Sequence, residues 1–252
     1  MHIETHGAGA PLVLIHGWAM HGGIFAPLTR LLARRFEVHL VDLPGHGLSV
    51  ERDSVFAARD CARRLLDAVP PALWVGWSLG GLVALHAAAA RPDRVRALLP
   101  IAANPRFVCS ADWPHGVEHA LFEQFAHGLR ADWRRTVERF LALEAHGSDR
   151  AQAELRELKA QVFARGEPAL AVLEAGLDAL DRSDLRPLVP ALAVPSLWIA
   201  GRRDRLVPPA AMQWAAATAP RGQYLEVGGG HAPFLGHPEE IAAAIEGFAA
   251  GL

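Results

Sequence analysis

Residues 73 to 85 read LWVGWSLGGLVAL, in which Gly76, Trp77, Ser78, Leu79 and Gly80 form a G-x-S-x-G motif with Gly81 directly behind it. An apolar run of strand length precedes the serine and an apolar helical pattern follows, so the chain is expected to turn sharply from strand to helix at Ser78. Such a turn strains the serine backbone, leaves room only for small neighbours two residues either side, and projects Oγ alone at the strand's C-terminal end. A hydroxyl is a weak nucleophile at neutral pH, so it needs a base and an acid to orient that base. IAGRRDRLVP puts Asp204 just past a strand end, and VGGGHAPFLGHPEE puts His231 in a glycine-rich loop after the last strand. The chain order Ser, Asp, His and the convergence of strand ends on one crevice predict a triad. His231 would take the Ser78 proton and Asp204 would fix the imidazole tautomer. Competing residues are Asp181 and Asp184 for the acid and His237, just before Pro238, for the base. The plain alternative makes Ser78 a polar residue in a turn and Asp204 a turn and helix start.

Acyl transfer also needs donors for a tetrahedral oxyanion. The N–H of Leu79, at the new helix's N-terminus, is one candidate; the loop after the first core strand, where HGW places Trp18, offers the other. His16 in that turn reads as a structural hydrogen-bonder. Trp18 and Trp77 flank the nucleophile and are expected either to pack in the core or to wall an apolar acyl pocket. The two cysteines, Cys61 and Cys109, form no C-x-x-C and no Cys/His cluster, so no metal site is expected.

These residues need a scaffold. Apolar runs at 12–17, 38–45, 72–78, 95–103, 195–201 and 223–229 are of strand length and bounded by Gly or Pro. Helical spacing falls between them at 24–35, 53–68, 80–91, 208–219 and 238–250. This alternation predicts an α/β fold with a mostly parallel, doubly wound sheet. It stops between Asn104 and Pro187, where four helices fit, with breaks at Gly128, Gly147 and Gly166/Pro168. The expected organisation is a core of residues 1–103 and 188–252 with an all-helical cap, or lid, inserted at 104–187. In DWRRTVERFLALEA, Trp133, Val137, Phe140 and Leu141 share one face and Arg135 and Arg139 another. Arg156 and Lys159 share a face of the next helix, with Arg134, Arg150 and Arg165 nearby. These cations read as a solvated face paired with Glu138, Glu154 and Glu157, or as a patch for an acidic partner.

A chain of 252 residues suits one large domain, and a formal net charge of −2 points to neither nucleic acid nor an anionic membrane. Lys159 is the only lysine among 25 basic residues, which fits an arginine-rich genome more than a basic function. With two isolated cysteines, no basic leader and no run of 18 apolar residues, the expected setting is the cytoplasm, without export or membrane insertion.

LVLIHGW, HLVDLPGHG, GWSLGGLVAL, RPDRVRAL, RTVERFLALE and HAPFLGHP together resemble the α/β-hydrolase superfamily, and within it the biotin-pathway carboxylesterases, the pimeloyl-acyl-carrier-protein methyl ester esterases. The cap motif RTVERFLAL is the informative part. The resemblance implies Ser78, Asp204 and His231 as triad and Trp18 and Leu79 as oxyanion donors. It also implies substrate contacts that include Trp18, Trp77, Leu79, His231 and the run Phe140, Leu141, Ala142, Leu143 and Glu144. It further implies action on pimeloyl methyl ester borne by acyl carrier protein, with Arg135, Arg139 and Arg156 gripping the carrier; acyl-enzyme chemistry needs no cofactor, and a monomer is expected. Where the family pattern can carry another arginine this chain has Gln152. Rivals are a general short-chain carboxylesterase, a C–C hydrolase or perhydrolase, and a hydrolase-fold binding protein without turnover. Serine at the nucleophile position argues against dehalogenase or epoxide hydrolase chemistry, which uses aspartate there.

Overall fold

The computed structural model describes residues 1–49 and 56–252. Seven strands form one sheet in the order β1-β3-β2-β4-β5-β6-β7. They are β1 (His2–His6), β2 (Ala10–Ile15), β3 (Phe36–Asp42), β4 (Ala72–Trp77), β5 (Val95–Ile101), β6 (Ser196–Gly201) and β7 (Gly222–Val227). Every residue of β4 and of β6 is buried. Successive strand residues point to opposite faces, so both faces of the sheet are covered, as a parallel sheet requires. The six apolar runs all form strands, and β2 to β7 pair in parallel.

β1 is an addition. HIETH pairs antiparallel to β3, His2 opposite Asp42 and His6 opposite Val38. It lacks an apolar run because it is a half-exposed edge strand.

The covering helices are α1 (Ala26–Leu32), α2 (Ala58–Ala68), α3 (Leu79–Ala90), α7 (Pro209–Thr218) and α9 (Pro238–Ala250), with a single turn α8 (Pro233–Gly236) before the last. α1 packs with α9 and α2 with α3. Residues 53–55 of the helix expected over 53–68 lie outside the described residues; its observed part starts at Ala58.

Between β5 and β6 the chain runs through α4 (His119–Ala145), α5 (Ala151–Gln161) and α6 (Leu170–Arg182). Gly147 and Gly166 take φ of +85° and +98° and separate these helices, as expected. Gly128 does not break α4. The interruption is at Asp132, whose backbone is extended (φ −157°, ψ 89°). Asp132 acts as an N-cap there: Oδ1 accepts from the N–H of Arg135 at 3.1 Å, and its carbonyl accepts from the Thr136 hydroxyl at 2.8 Å. Gly128 serves close packing instead, since a Cβ there would fall 2.5 Å from Thr136 Oγ1.

Candidate active site

At the end of β4 the chain reverses into α3 through Ser78, held at φ 53° and ψ −120°, a left-handed region that residues with a side chain rarely occupy. The Ser78 N–H donates to the Ile101 carbonyl of β5 at 3.1 Å, and its carbonyl accepts from the Gly81 N–H at 2.8 Å. The flanking glycines are required by close approach. A Cβ at Gly76 would lie 2.4 Å from the Gly80 carbonyl oxygen, and one at Gly80 2.3 Å from that of Ile15.

The structure brings the three residues predicted from distant motifs into one chain of contacts. Ser78 Oγ lies 2.8 Å from His231 Nε2, and His231 Nδ1 lies 2.9 Å from Asp204 Oδ2. All three are buried. The second oxygen of Asp204 accepts from the N–H groups of Leu206 and Val207 at 2.8 and 2.9 Å, so the carboxylate cannot rotate away from the imidazole. A carboxylate against Nδ1 sets the proton there and leaves Nε2 with a lone pair toward the serine. The rival residues are engaged elsewhere. Asp181 bonds His119 at 2.6 Å, Asp184 pairs with Arg106 and Arg186, and His237 faces Asp149.

The turn after β2 lies against the nucleophile, since a Cβ at Gly17 would sit 3.2 Å from that of Ser78. Among the described residues, the main-chain N–H groups of Trp18 and Leu79 have no hydrogen-bond partner. His16 pins that turn. Its Nε2 accepts from the Leu43 N–H at 2.9 Å, which leaves Nδ1 to donate to the Gly17 carbonyl at 2.7 Å. Burial holds its pKa well below the usual histidine value, so the ring is neutral. Over Ser78 and His231 the walls are Phe107, Val117, Phe122, Phe140, Leu180 and Leu206, closing on a cavity of about 10 Å³.

Residues 12–244 match the family described as "Alpha/beta hydrolase family". The chain belongs to the alpha/beta hydrolase family. Within it, the chain is 55% identical over 253 aligned residues to the pimeloyl-[acyl-carrier protein] methyl ester esterase of Xanthomonas campestris pv. campestris (strain B100), covering 100% of both chains. It is 56% identical to the protein of the same name from Stenotrophomonas maltophilia (strain R551-3), covering 100% of this chain and 97% of that one. The solved esterase from Exiguobacterium antarcticum superposes with a TM-score of 0.87 at 20% identity, covering 98% of this chain and 94% of the other, a likeness of fold alone.

In this alpha/beta hydrolase, Ser78, Phe140 and His231 line this small cavity, whereas Trp18, Trp77, Leu79, Leu141, Ala142, Leu143 and Glu144 are not among its lining residues. Trp77 supports the histidine loop. Its indole N–H donates to the His231 carbonyl at 2.8 Å, with the ring packed on Phe25 and Phe234. Trp18 donates to the Leu173 carbonyl at 2.9 Å and packs its ring edge against Phe140. Ala142 is exposed, because helical periodicity turns it away from the face that carries Phe140 and Glu144. Phe107, Val117, Phe122, Leu180 and Leu206 escape sequence reading: they are ordinary core-type residues brought over Ser78 by tertiary packing.

The cations expected on the cap sort by partner. Arg134 pairs with Glu167, Lys159 with Glu138, and Arg165 with Glu4 and Asp42. Glu154 and Glu157 bond Ser148 and Gln161. Arg135, Arg139 and Arg156 are exposed and form no ion pair among the described residues. In these residues no group of three His, Cys, Asp or Glu is placed to hold a metal ion, and no helix is long and apolar enough to cross a membrane.

Proposed function

We propose that this hydrolase is a serine carboxylesterase that removes the methyl group of pimeloyl-acyl carrier protein methyl ester in biotin biosynthesis, as a cytoplasmic monomer without a cofactor. The observation that carries this reading is the buried Asp204–His231–Ser78 relay, at 2.9 and 2.8 Å, in a chain that is 55% identical end to end to esterases of that name. Ser78 Oγ attacks the methyl ester carbonyl while His231 Nε2 takes its proton. The tetrahedral oxyanion is received by the free N–H groups of Trp18 and Leu79. Collapse breaks the bond to the methoxy oxygen, which leaves as methanol with the proton from His231. Water then attacks the acyl-serine, with His231 again as base, and the pimeloyl carboxylate departs as Ser78 recovers its proton.

Residues 104–187 serve in this reading as the cap, with Phe140 against the acyl chain. The unpaired arginines Arg135, Arg139 and Arg156 offer three cations to an acidic carrier and its phosphate-bearing arm, Gln152 leaving a fourth position uncharged. The decisive assay is methanol release from the carrier-bound methyl ester by the native chain and by Ser78→Ala. Serine-dependent release, falling at least about 10³-fold in the variant, is the expected result. Release undiminished in Ser78→Ala overturns the nucleophile; no release, with p-nitrophenyl esters still cleaved, overturns the carrier substrate and leaves an esterase.

A further inference from the structure

One acidic side chain beside the relay has no role in the mechanism above. Glu144 lies in the last turn of α4, where helix carbonyls lack intrahelical donors. Its carbonyl accepts from the N–H of His231 at 3.1 Å. The loop carrying the histidine lies directly on this helix end, since a Cβ at Gly230 would fall 2.9 Å from the Glu144 carbonyl oxygen and 3.4 Å from that of His146. The side chain is wholly buried, and neither carboxyl oxygen has a hydrogen-bond partner.

We propose that Glu144 is a positioning residue for the triad: its carbonyl fastens the His231 loop to α4, and its carboxyl holds a proton in the working enzyme so that Asp204 stays the one anion behind the imidazole. This rests on the serine-hydrolase reading of the site. Asp204 receives three donors, from Leu206, Val207 and His231, whereas Glu144 receives none. A buried carboxylate without donors costs far more than a buried neutral acid, so of the two carboxyls Glu144 is the one that keeps its proton. Burial, and then the negative charge of Asp204, push its pKa well above the ordinary carboxylate value.

The other charged groups at this helix end are occupied. Arg203 reaches the Gly147 carbonyl from the loop after β6, Glu154 of α5 accepts from Ser148, and His237 at the start of α9 faces Asp149. A second anion beside Asp204 would stabilise imidazolium in the resting enzyme, and an imidazolium cannot accept the Ser78 proton.

The test is the pH profile of kcat/KM for p-nitrophenyl butyrate, corrected for spontaneous hydrolysis, with the native chain, Glu144→Gln and Ser78→Ala. Because a neutral amide then replaces a neutral acid, the acid limbs of the native and Glu144→Gln profiles are expected to coincide within about 0.2 pH unit. An acid limb that moves to lower pH by about half a unit or more in Glu144→Gln overturns the proposal, because it would mean that an anion beside Asp204 had been strengthening the imidazole's hold on its proton. Should Glu144→Gln not fold, the infrared spectrum of the native enzyme at neutral pH is read for the C=O stretch of a buried protonated carboxyl, and its absence overturns the proposal equally. Activity that survives in Ser78→Ala would instead strike the serine reading on which the proposal stands.

Discussion

His46 shows how a single buried ring makes the site depend on pH through the fold. Its ring lies 5.1 Å from that of His16, behind the turn carrying Trp18. Nδ1 bonds the Pro44 carbonyl at 3.1 Å, and Nε2 is buried with no partner. Burial is the largest cause that lowers its pKa, from 6.5 to about 4. The folded chain therefore keeps His46 neutral where the unfolded chain takes up a proton. Its contribution is fully present above about pH 6.5 and is lost as pH falls toward about 4, in all about 3 kcal/mol. Glu144 acts in the opposite sense: its raised folded value gives most stability at acid pH, and that contribution is lost as pH rises. The total curve therefore mixes both signs, and His46 is isolated by difference. The stability of the native chain minus that of His46→Gln, from urea unfolding, should drop by about 2–3 kcal/mol from about pH 7 to about pH 4.5. A difference that stays constant over this range contradicts a neutral, buried His46.

Arg165 shows what an element can lose through one side chain. It stands between α5 and α6, yet its guanidinium reaches back to Asp42 at the end of β3 (3.3 Å) and to Glu4 of β1 (2.9 Å). Asp42 is fully buried and also accepts from the N–H groups of Gly22 (2.6 Å) and Leu48 (2.8 Å). Arg165→Ala leaves that carboxylate with main-chain donors but no counter-charge. Because the guanidinium is itself partly exposed, the cost should be about 2–4 kcal/mol, below that of a fully buried pair, and the melting temperature should fall by roughly 5–12 °C. A calorimetric shift of under about 2 °C would mean that the pair contributes nothing. Sequence reading grouped Arg165 with the surface cations of the cap, because β1 was invisible: HIETH has one aliphatic residue, Ile3, and its partner strand is supplied from residues 36–42. The central strands were legible because burial on both faces demands unbroken apolar runs. Ser78, Asp204 and His231 were legible because strand ends converge, each carrying its own local motif. The break in α4 was misplaced from Asp132 to Gly128 because a glycine can serve close packing as well as termination, and only the neighbour, Thr136, decides between them.

Over the whole molecule the charges nearly cancel, at −2, so on the proposed function long-range attraction of an acidic carrier comes from where the cations lie rather than from their number. Glutamates neutralise Arg134, Lys159 and Arg130, while Arg135, Arg139 and Arg156 stay exposed without an ion pair among the described residues. A cavity of about 10 Å³ over Ser78 is far too small for a pimeloyl chain, so on the proposed function α4 and α6, which meet over it through Phe122, Phe140 and Leu180, must part for the substrate. Carrier docking on the outer arginines and opening of the inner apolar wall then involve different faces of the same helix, α4. Small esters need only the opening, whereas the carrier-bound ester needs both. Arg135→Glu combined with Arg139→Glu should therefore lower the ratio of kcat/KM for carrier-bound ester to that for p-nitrophenyl butyrate by about tenfold or more, through KM. Salt provides the internal check: raising ionic strength should lower this ratio in the native enzyme and change it far less in the variant, whose attraction is already gone. Equal loss on both substrates, with no change in salt response, would place the damage in the cap's packing and move the carrier to another face.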